Sequence, residues 1–163
     1  MPVHDAPPDT ATAHDGRPRI LIIDDDPVVR MLLEEICTEY GWNAFGVGTS
    51  ADAILAAGLQ HIDLILVDYH MKEDNALRLI RDLRAIRPTT PVVVVTGESP
   101  ETVKAAVTAA GAHGVIGKPC SVAQVAQLLG RYRPVYVSLG EDCYGQPERD
   151  TSATEEPNRK DAR

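Results

Sequence analysis

Carboxylate, hydroxyl and amine side chains follow short apolar runs at four separate places in this chain. In chain order the four sets are Asp24-Asp25-Asp26, Asp68, Thr96-Gly97 and Lys118-Pro119. Clustered carboxylates repel one another unless a cation lies among them, and oxygen ligands with few protein groups suit Mg²⁺. A carboxylate beside a metal can act as a nucleophile, while a lysine and a threonine can hold phosphoryl oxygens. If the fold gathers these residues, they predict a site for metal-assisted phosphoryl transfer.

Five apolar runs alternate with five segments of helical periodicity, and this alternation decides where the polar sets lie. The predicted strands cover residues 20–23, 43–47, 62–67, 92–95 and 115–116. Three of them are almost wholly apolar, as in strands buried on both faces of a parallel sheet. Five successive βα units predict a doubly wound α/β fold with helices on both faces. The carboxyl ends of the strands converge in such folds, so the four polar sets are expected to meet.

Prolines and small polar residues indicate where the helices begin. Pro27 and Pro100 suit the first position of a helix, and Ser50 and Ser121 are predicted N-caps. Asp26 is predicted to cap a helix or to be solvated, rather than to bind metal. The apolar face of the first helix is predicted to consist of Val29, Leu32, Leu33, Ile36 and Tyr40.

Composition excludes several classes of protein. The formal charge is -8, from 16 basic and 24 acidic residues, which argues against a nucleic-acid surface. The first residues lack the features of a signal peptide, and no apolar run reaches the roughly 18 residues of a membrane span. Three scattered cysteines indicate reduced thiols in a cytoplasmic protein. Polar, unpatterned segments predict a disordered tail over 1–17 and a mostly disordered one over 133–163, flanking a domain at 18–132.

The ordered segments IIDDDPVVR, LILVDYHM, VVVVTG and GVIGKP resemble the receiver domain of two-component response regulators. The resemblance implies a flavodoxin-like five-stranded parallel sheet of order 2-1-3-4-5 with five helices. It implies a stand-alone receiver that accepts a phosphoryl group on Asp68 from a sensor histidine kinase or a histidine phosphotransfer protein. Such a protein is not an enzyme for an outside substrate, since it catalyses only its own phosphorylation and dephosphorylation.

The resemblance also implies a role for each site residue. Mg²⁺ would be bound by Asp25, by Asp68, by the backbone carbonyl of His70, and by Asp24 largely through water. The side chain of His70 is interpreted as a solvent-facing group that tunes the loss of the phosphoryl group. Lys118 would pair with the phosphoryl oxygens, and the Lys118-Pro119 bond is expected to be cis.

Thr96 would turn towards the phosphoryl group, and Gly97 would keep the approach open. Output is expected through a protein that contacts the fourth helix, the fifth strand and the fifth helix. Representative positions on that face are Lys104, Val115 and Gln124. Two positions depart from the family pattern in ways that affect the site and the output face. Lys72 replaces the usual proline, and Val115 replaces the usual aromatic residue.

Two other functions are compatible with parts of the sequence. A small haloacid-dehalogenase-like phosphohydrolase would use Asp24 as its nucleophile, but it would leave Asp68 without a role. Gly46-Val47-Gly48-Thr49-Ser50-Ala51 matches a Gly-x-Gly-x-x-Ala pattern for nucleotide binding, which is weak by itself. We reject nucleotide binding, because the first βα turn holds three aspartates that would repel a pyrophosphate.

Overall fold

The computed structural model describes residues 16–135, which form one five-stranded parallel sheet covered by five helices. The strands are β1 (Arg19–Ile23), β2 (Asn43–Val47), β3 (Leu64–Asp68), β4 (Val92–Thr96) and β5 (Gly114–Gly117). The helices are α1 (Pro27–Glu39), α2 (Ser50–Leu59), α3 (Ala76–Ile86), α4 (Pro100–Ala110) and α5 (Val122–Arg131). The strand order is β2-β1-β3-β4-β5, with every neighbouring pair parallel. The predicted flavodoxin-like α/β fold is confirmed.

The core consists of two apolar layers, one on each face of the sheet. Helices α1 and α5 pack on one face, and α2, α3 and α4 pack on the other. Successive side chains of a strand point to opposite faces, so Leu66 belongs to the first layer and Ile65 to the second. Strands β3 and β4 are buried along their whole length. Their carboxyl ends are therefore held in fixed positions beneath the site.

Local signals at the helix starts place α1 and α5 as predicted. The Asp26 side chain accepts hydrogen bonds from the amides of Val28 at 2.9 Å and Val29 at 3.4 Å, with Pro27 as the first helical residue. Ser121 caps α5 in a capping box with Gln124, which satisfies two amides that the helix leaves free. The capping roles predicted for Asp26 and Ser121 are confirmed.

The predicted cap of α2 is wrong by one residue. Thr49 is the N-cap, because its backbone is extended and its hydroxyl accepts the Asp52 amide at 3.1 Å. Ser50 is already the first helical residue, and its own amide donates to the Asp74 carboxylate at 2.9 Å. Adjacent Thr and Ser offer equal capping chemistry, so sequence alone did not separate them.

The predicted buried face of α1 is also partly wrong. The helix buries Leu33, Ile36 and Cys37, whereas Leu32 is 53% exposed and Tyr40 is 43% exposed. Residues spaced by three and four lie on one helix face, and the sheet fixes that face through Leu33. Leu32 therefore faces outward, and it forms part of the surface beside the site.

The bounds of β1, β3, β4 and β5 differ from the prediction by one or two residues, and the differences in β3 and β4 matter for the site. Strand β3 begins at Leu64 rather than at residue 62, and it ends at Asp68 itself. Strand β4 includes Thr96 as its last residue. Both polar residues are thus anchored by the sheet.

The chain outside residues 16–135 is not described, so most of the two predicted tails lies outside the described residues. Within residues 16–135, no helix is both long enough and apolar enough to cross a membrane.

We predict that Leu66→Ala lowers the free energy of unfolding by about 2–5 kcal/mol, because Leu66 is 1% exposed and the change leaves a cavity. Urea unfolding followed by circular dichroism measures the change. Leu59→Ala is the matched control, since Leu59 is 76% exposed and should change the value by no more than about 0.5 kcal/mol. Equal losses in both variants would contradict the two-layer core.

Candidate functional site

The site lies where β1 and β3 end side by side, at the point where the order of the strands reverses. Asp24 directly follows β1 and is 2% exposed, while Asp68 ends β3 and is 4% exposed. Asp25 is partly exposed and faces the same cleft. Ligand sites of doubly wound sheets occupy this switch point. The structure therefore brings Asp24, Asp25 and Asp68 together as predicted.

Lys118 supplies the positive charge between the two buried carboxylates. Its Nζ donates to Asp24 Oδ2 at 2.9 Å and lies 3.1 Å from Asp68 Oδ1. Burial alone lowers the pKa of Lys118, but its contacts with Asp24 and Asp68 raise that pKa above the ordinary lysine value overall. The ammonium is therefore held in its charged form. The Lys118-Pro119 peptide bond is cis, as predicted.

Asp24 carries an energetic cost at this position. Burial raises the pKa of Asp24, and the neighbouring Asp68 charge adds to the rise, although hydrogen bonds from Lys118 and from the Asp26 amide oppose it. The Asp26 amide donates to Asp24 Oδ1 at 2.9 Å. The carboxylate of Asp24 is thus poised to gain from any further positive charge in the cleft.

Backbone amides of the β3–α3 loop complete the hydrogen bonding of the other two carboxylates. The His70 amide donates to Asp68 Oδ1 at 3.2 Å, and the Lys72 amide donates to Asp25 Oδ2 at 3.0 Å. A proline at position 72 has no N–H and could not make the second bond. The departure at position 72 therefore adds a contact between the loop and Asp25.

The carboxylates fit a small divalent cation. Oxygens of Asp24, Asp25 and Asp68 lie within 4.8 Å of one another, and an all-oxygen set with few protein ligands is the kind that Mg²⁺ takes. A cleft of about 460 Å³ opens above them, which leaves room for water and for a phosphoryl group. His70 also lines this cleft.

Thr96 is close to the site but does not line the cleft. Its side chain is fully buried, and Oγ1 accepts the amide of Glu98 at 3.0 Å. Gly97 lines the cleft instead, and no atom lies within 4 Å of where its Cβ would be. The approach that Gly97 leaves open agrees with the prediction, whereas a role for the Thr96 hydroxyl requires its side chain to turn.

Sequence reasoning missed two residues at the site. Glu98 Oε1 lies 2.8 Å from His70 Nε2, and both side chains are about half exposed at the rim of the cleft. Arg30 donates from Nη1 to the main-chain carbonyl of Asp24 at 2.6 Å. The position of Glu98, two residues after Thr96, was a sequence signal that it lies near the site. The sequence signal for Arg30 was the pair of glycines in and after β2.

Comparison with known proteins agrees with this geometry. Residues 20–130 match the family model of the response regulator receiver domain. The transcriptional regulatory protein AruR of Pseudomonas aeruginosa is 33% identical over an alignment of 132 residues, and the match covers 76% of this chain and 54% of AruR. The probable transcriptional regulatory protein TcrX of Mycobacterium tuberculosis is 30% identical over 116 residues, which are 71% of this chain and 50% of TcrX. The chain thus spans about half the length of these curated relatives.

Solved structures show the same fold. The crystal structure of a response regulator receiver protein from Pseudomonas putida is 28% identical, with a TM-score of 0.65 and coverage of 71% of this chain and 97% of that one. Chemotaxis protein CheY4 of Vibrio cholerae has a TM-score of 0.68 at 21% identity, and the match covers 71% and 98% of the two chains. None of these matches supports the haloacid-dehalogenase hypothesis with Asp24 as nucleophile. This chain belongs to the response regulator receiver domain family of two-component signalling.

Proposed function

We propose that this receiver accepts a phosphoryl group on Asp68 from a sensor histidine kinase or a histidine phosphotransfer protein. The observation that carries the proposal is the contact of one ammonium group, that of Lys118, with both Asp24 and Asp68. It leaves the Asp68 carboxylate at a strand end, paired with an ammonium group and beside an open cleft. This is the arrangement that a carboxylate nucleophile for phosphorus requires.

The residues proposed to hold Mg²⁺ are Asp25, Asp68, the His70 carbonyl and, largely through water, Asp24. When bound, Mg²⁺ neutralises charge on the phosphoryl oxygens. The raised pKa of Asp24 supports this assignment, because a buried carboxylate with a like charge beside it gains from a nearby cation. The oxygen-only donor set supports Mg²⁺ in particular.

The transfer step uses groups of this chain in defined roles. A carboxylate oxygen of Asp68 attacks phosphorus, the bond from phosphorus to the donor histidine nitrogen breaks, and the electron pair leaves with that nitrogen. Lys118 then exchanges its contact with Asp68 for the phosphoryl oxygens. Thr96 turns its hydroxyl from the Glu98 amide to the phosphoryl group. Water later attacks phosphorus, the bond from phosphorus to the Asp68 oxygen breaks, and inorganic phosphate leaves with the carboxylate restored. In this proposal the chain catalyses only its own phosphorylation and dephosphorylation.

The cytoplasm is the proposed compartment, because the phosphodonor acts there and unpaired cysteines persist there. Cys37 and Cys120 are free thiols in the described part of the chain. We propose that the partners are proteins rather than nucleic acid or membrane, consistent with the net charge of -8.

An apolar groove beside the site supports docking of the phosphodonor protein. It has a volume of about 360 Å³ and adjoins Lys118. Leu32 lines it and is 53% exposed, and neighbouring Met31 is 65% exposed. The donor histidine must come within bonding distance of Asp68, so a partner has to contact the surface next to the cleft. The groove supplies apolar area for that contact.

We propose a separate output surface on α4, β5 and α5. Lys104 on α4 and Gln124 on α5 are exposed, while Val115 on β5 is partly buried against the core. Strand β5 pairs with β4, whose last residue is Thr96. A turn of the Thr96 side chain therefore acts next to this surface, and the small Val115 leaves less bulk to move than an aromatic residue would.

The acceptor role predicts a Mg²⁺-dependent phosphoryl adduct. Wild-type protein incubated with a small phosphodonor and Mg²⁺ should gain the mass of one phosphoryl group, and EDTA should prevent it. Asp68→Asn should show no adduct and Asp24→Asn a slower one, because the first removes the nucleophile and the second removes a metal ligand. Intact mass spectrometry measures both.

The matched control is Asp82→Asn, which makes the same chemical change at an exposed position on α3. It should be phosphorylated like wild type. An adduct that persists in Asp68→Asn would exclude the proposed acceptor.

The docking groove predicts that Leu32→Asp slows phosphotransfer from a donor protein by about tenfold or more, as loss of an apolar interface anchor does. Phosphorylation by a small phosphodonor should keep its wild-type rate, because that reaction needs no docking surface. Lys104→Glu, on the proposed output surface, serves as the control and should leave both rates unchanged. Equal slowing of both reactions by Leu32→Asp would place Leu32 in the site's chemistry instead.

The output surface predicts a localised change on phosphorylation. Amide hydrogen exchange of wild type should change at 104, 115 and 124 when Asp68 is phosphorylated, because the turn of Thr96 alters the contacts of β5. Exchange at α2, on the other edge of the sheet, should stay the same. An unchanged pattern around Lys104 would contradict this output surface.

A further inference from the structure

Gly46 in β2 and Gly48 just after the strand provide space for the Arg30 side chain of α1. A glycine inside a strand is unfavourable and often marks a close approach by another group. A Cβ at Gly46 would overlap Arg30 Cγ and Glu34 Oε1 and would lie 2.6 Å from Arg30 Cδ. A Cβ at Gly48 would lie 3.1 Å from Arg30 Nη1. The Arg30 side chain thus runs along the backbone of these two glycines.

The Arg30 guanidinium contacts the main chain between Asp24 and Asp25, which are together called the acid pair. Its Nη1 donates to the Asp24 carbonyl at 2.6 Å, and the Asp24 amide donates to the Val47 carbonyl at 3.2 Å. The peptide that joins Asp24 to Asp25 is therefore fixed at its carbonyl by Arg30. The base of Arg30 is fixed as well, because its amide donates to the carbonyl of the α1 cap Asp26 at 3.0 Å.

We infer that Arg30 is a positioning residue that sets the orientation of the peptide between Asp24 and Asp25, and that Gly46 and Gly48 exist to admit its side chain. The inference rests on the proposed function in one respect, that this acid pair binds Mg²⁺. It also accounts for the Gly-x-Gly pattern of β2, which needs no nucleotide to explain it.

Orientation and charge predict opposite effects for Arg30 on Mg²⁺ binding. A cationic side chain near the cleft repels Mg²⁺, so loss of its charge alone would tighten binding. Loss of a group that orients metal ligands weakens binding, by about 10–100-fold in metal sites generally. Lysine keeps the charge but lacks the rigid, planar donor group of arginine. The sign of the change therefore separates the two roles.

The test is titration calorimetry of the full chain with Mg²⁺, using wild type, Arg30→Ala, Arg30→Lys and Gly46→Ala. All three variants should bind Mg²⁺ about tenfold more weakly, as for loss of an outer-shell contact. Gly46→Ala changes no charge, and its Cβ displaces the Arg30 side chain together with the end of Glu34. Gly58→Ala is the control and should bind like wild type, since nothing lies within 4 Å of its Cβ position.

A double variant tests whether Gly46 acts through Arg30, and unfolding experiments test whether each variant is folded. In the Arg30→Ala background, Gly46→Ala should weaken Mg²⁺ binding no further, because the effects of substitutions at two contacting residues are not additive. Urea unfolding in EDTA should show every variant folded, which separates metal affinity from loss of the fold.

Several outcomes would overturn the inference. If Arg30→Ala bound Mg²⁺ as tightly as wild type, or more tightly, Arg30 would have no positioning role. If Gly46→Ala weakened Mg²⁺ binding while both Arg30 variants bound like wild type, Gly46 would not act through Arg30. If wild type bound no Mg²⁺, the metal site of the proposed function would fail first, and Arg30 would have no affinity to set.

Discussion

Two nearly buried carboxylates, those of Asp24 and Asp68, meet at the carboxyl edge of the sheet, and the ammonium of Lys118 contacts both. Repulsion between such charges is strong where water is excluded, and removal of a paired buried charge leaves its partner uncompensated. The aspartates come from β1 and β3, and the lysine follows β5. These ion pairs consequently exist only when distant parts of the chain pair in the observed register. Correct strand pairing is therefore a condition for the geometry of this site.

In the first βα connection, adjacent residues make different contacts. Three consecutive aspartates have three different roles: Asp24 meets Lys118, Asp25 faces the cleft, and Asp26 caps α1. The cap fixes the start of α1, and α1 in turn carries Arg30 back to the carbonyl of Asp24. A connection of three residues between a buried strand and a capped helix has little freedom. Because the connection can move so little, Asp24 and Asp25 keep a fixed geometry before any ligand is present.

Sequence patterns predicted the sheet and the residues gathered at its edge, because apolar strands and helix caps are local signals. They located Asp68, Lys118 and the cap Asp26. They did not separate Thr49 from Ser50, since neighbouring hydroxyls compete for one amide and the winner depends on backbone angles. They also did not reveal that Leu32 faces outward, which depends on how α1 is rotated against the sheet. The contact of Arg30 with Asp24 passes two glycines that are distant in sequence. Their pattern indicated a close approach, but only the structure shows which side chain makes it.

The hydrogen bond from the Lys72 amide to Asp25 gives the β3–α3 loop a conditional kind of order. A proline at this position would restrict the loop even in the unfolded chain, whereas lysine leaves that entropy to be lost on folding. The order of the loop must then come from bonds made in the native state, and one of these bonds ends on a residue of the acid pair. Coupling of this kind is reciprocal. Whatever engages the Asp25 carboxylate also changes the freedom of the loop that leads into α3, so the loop can register the state of the site from the side opposite to Thr96.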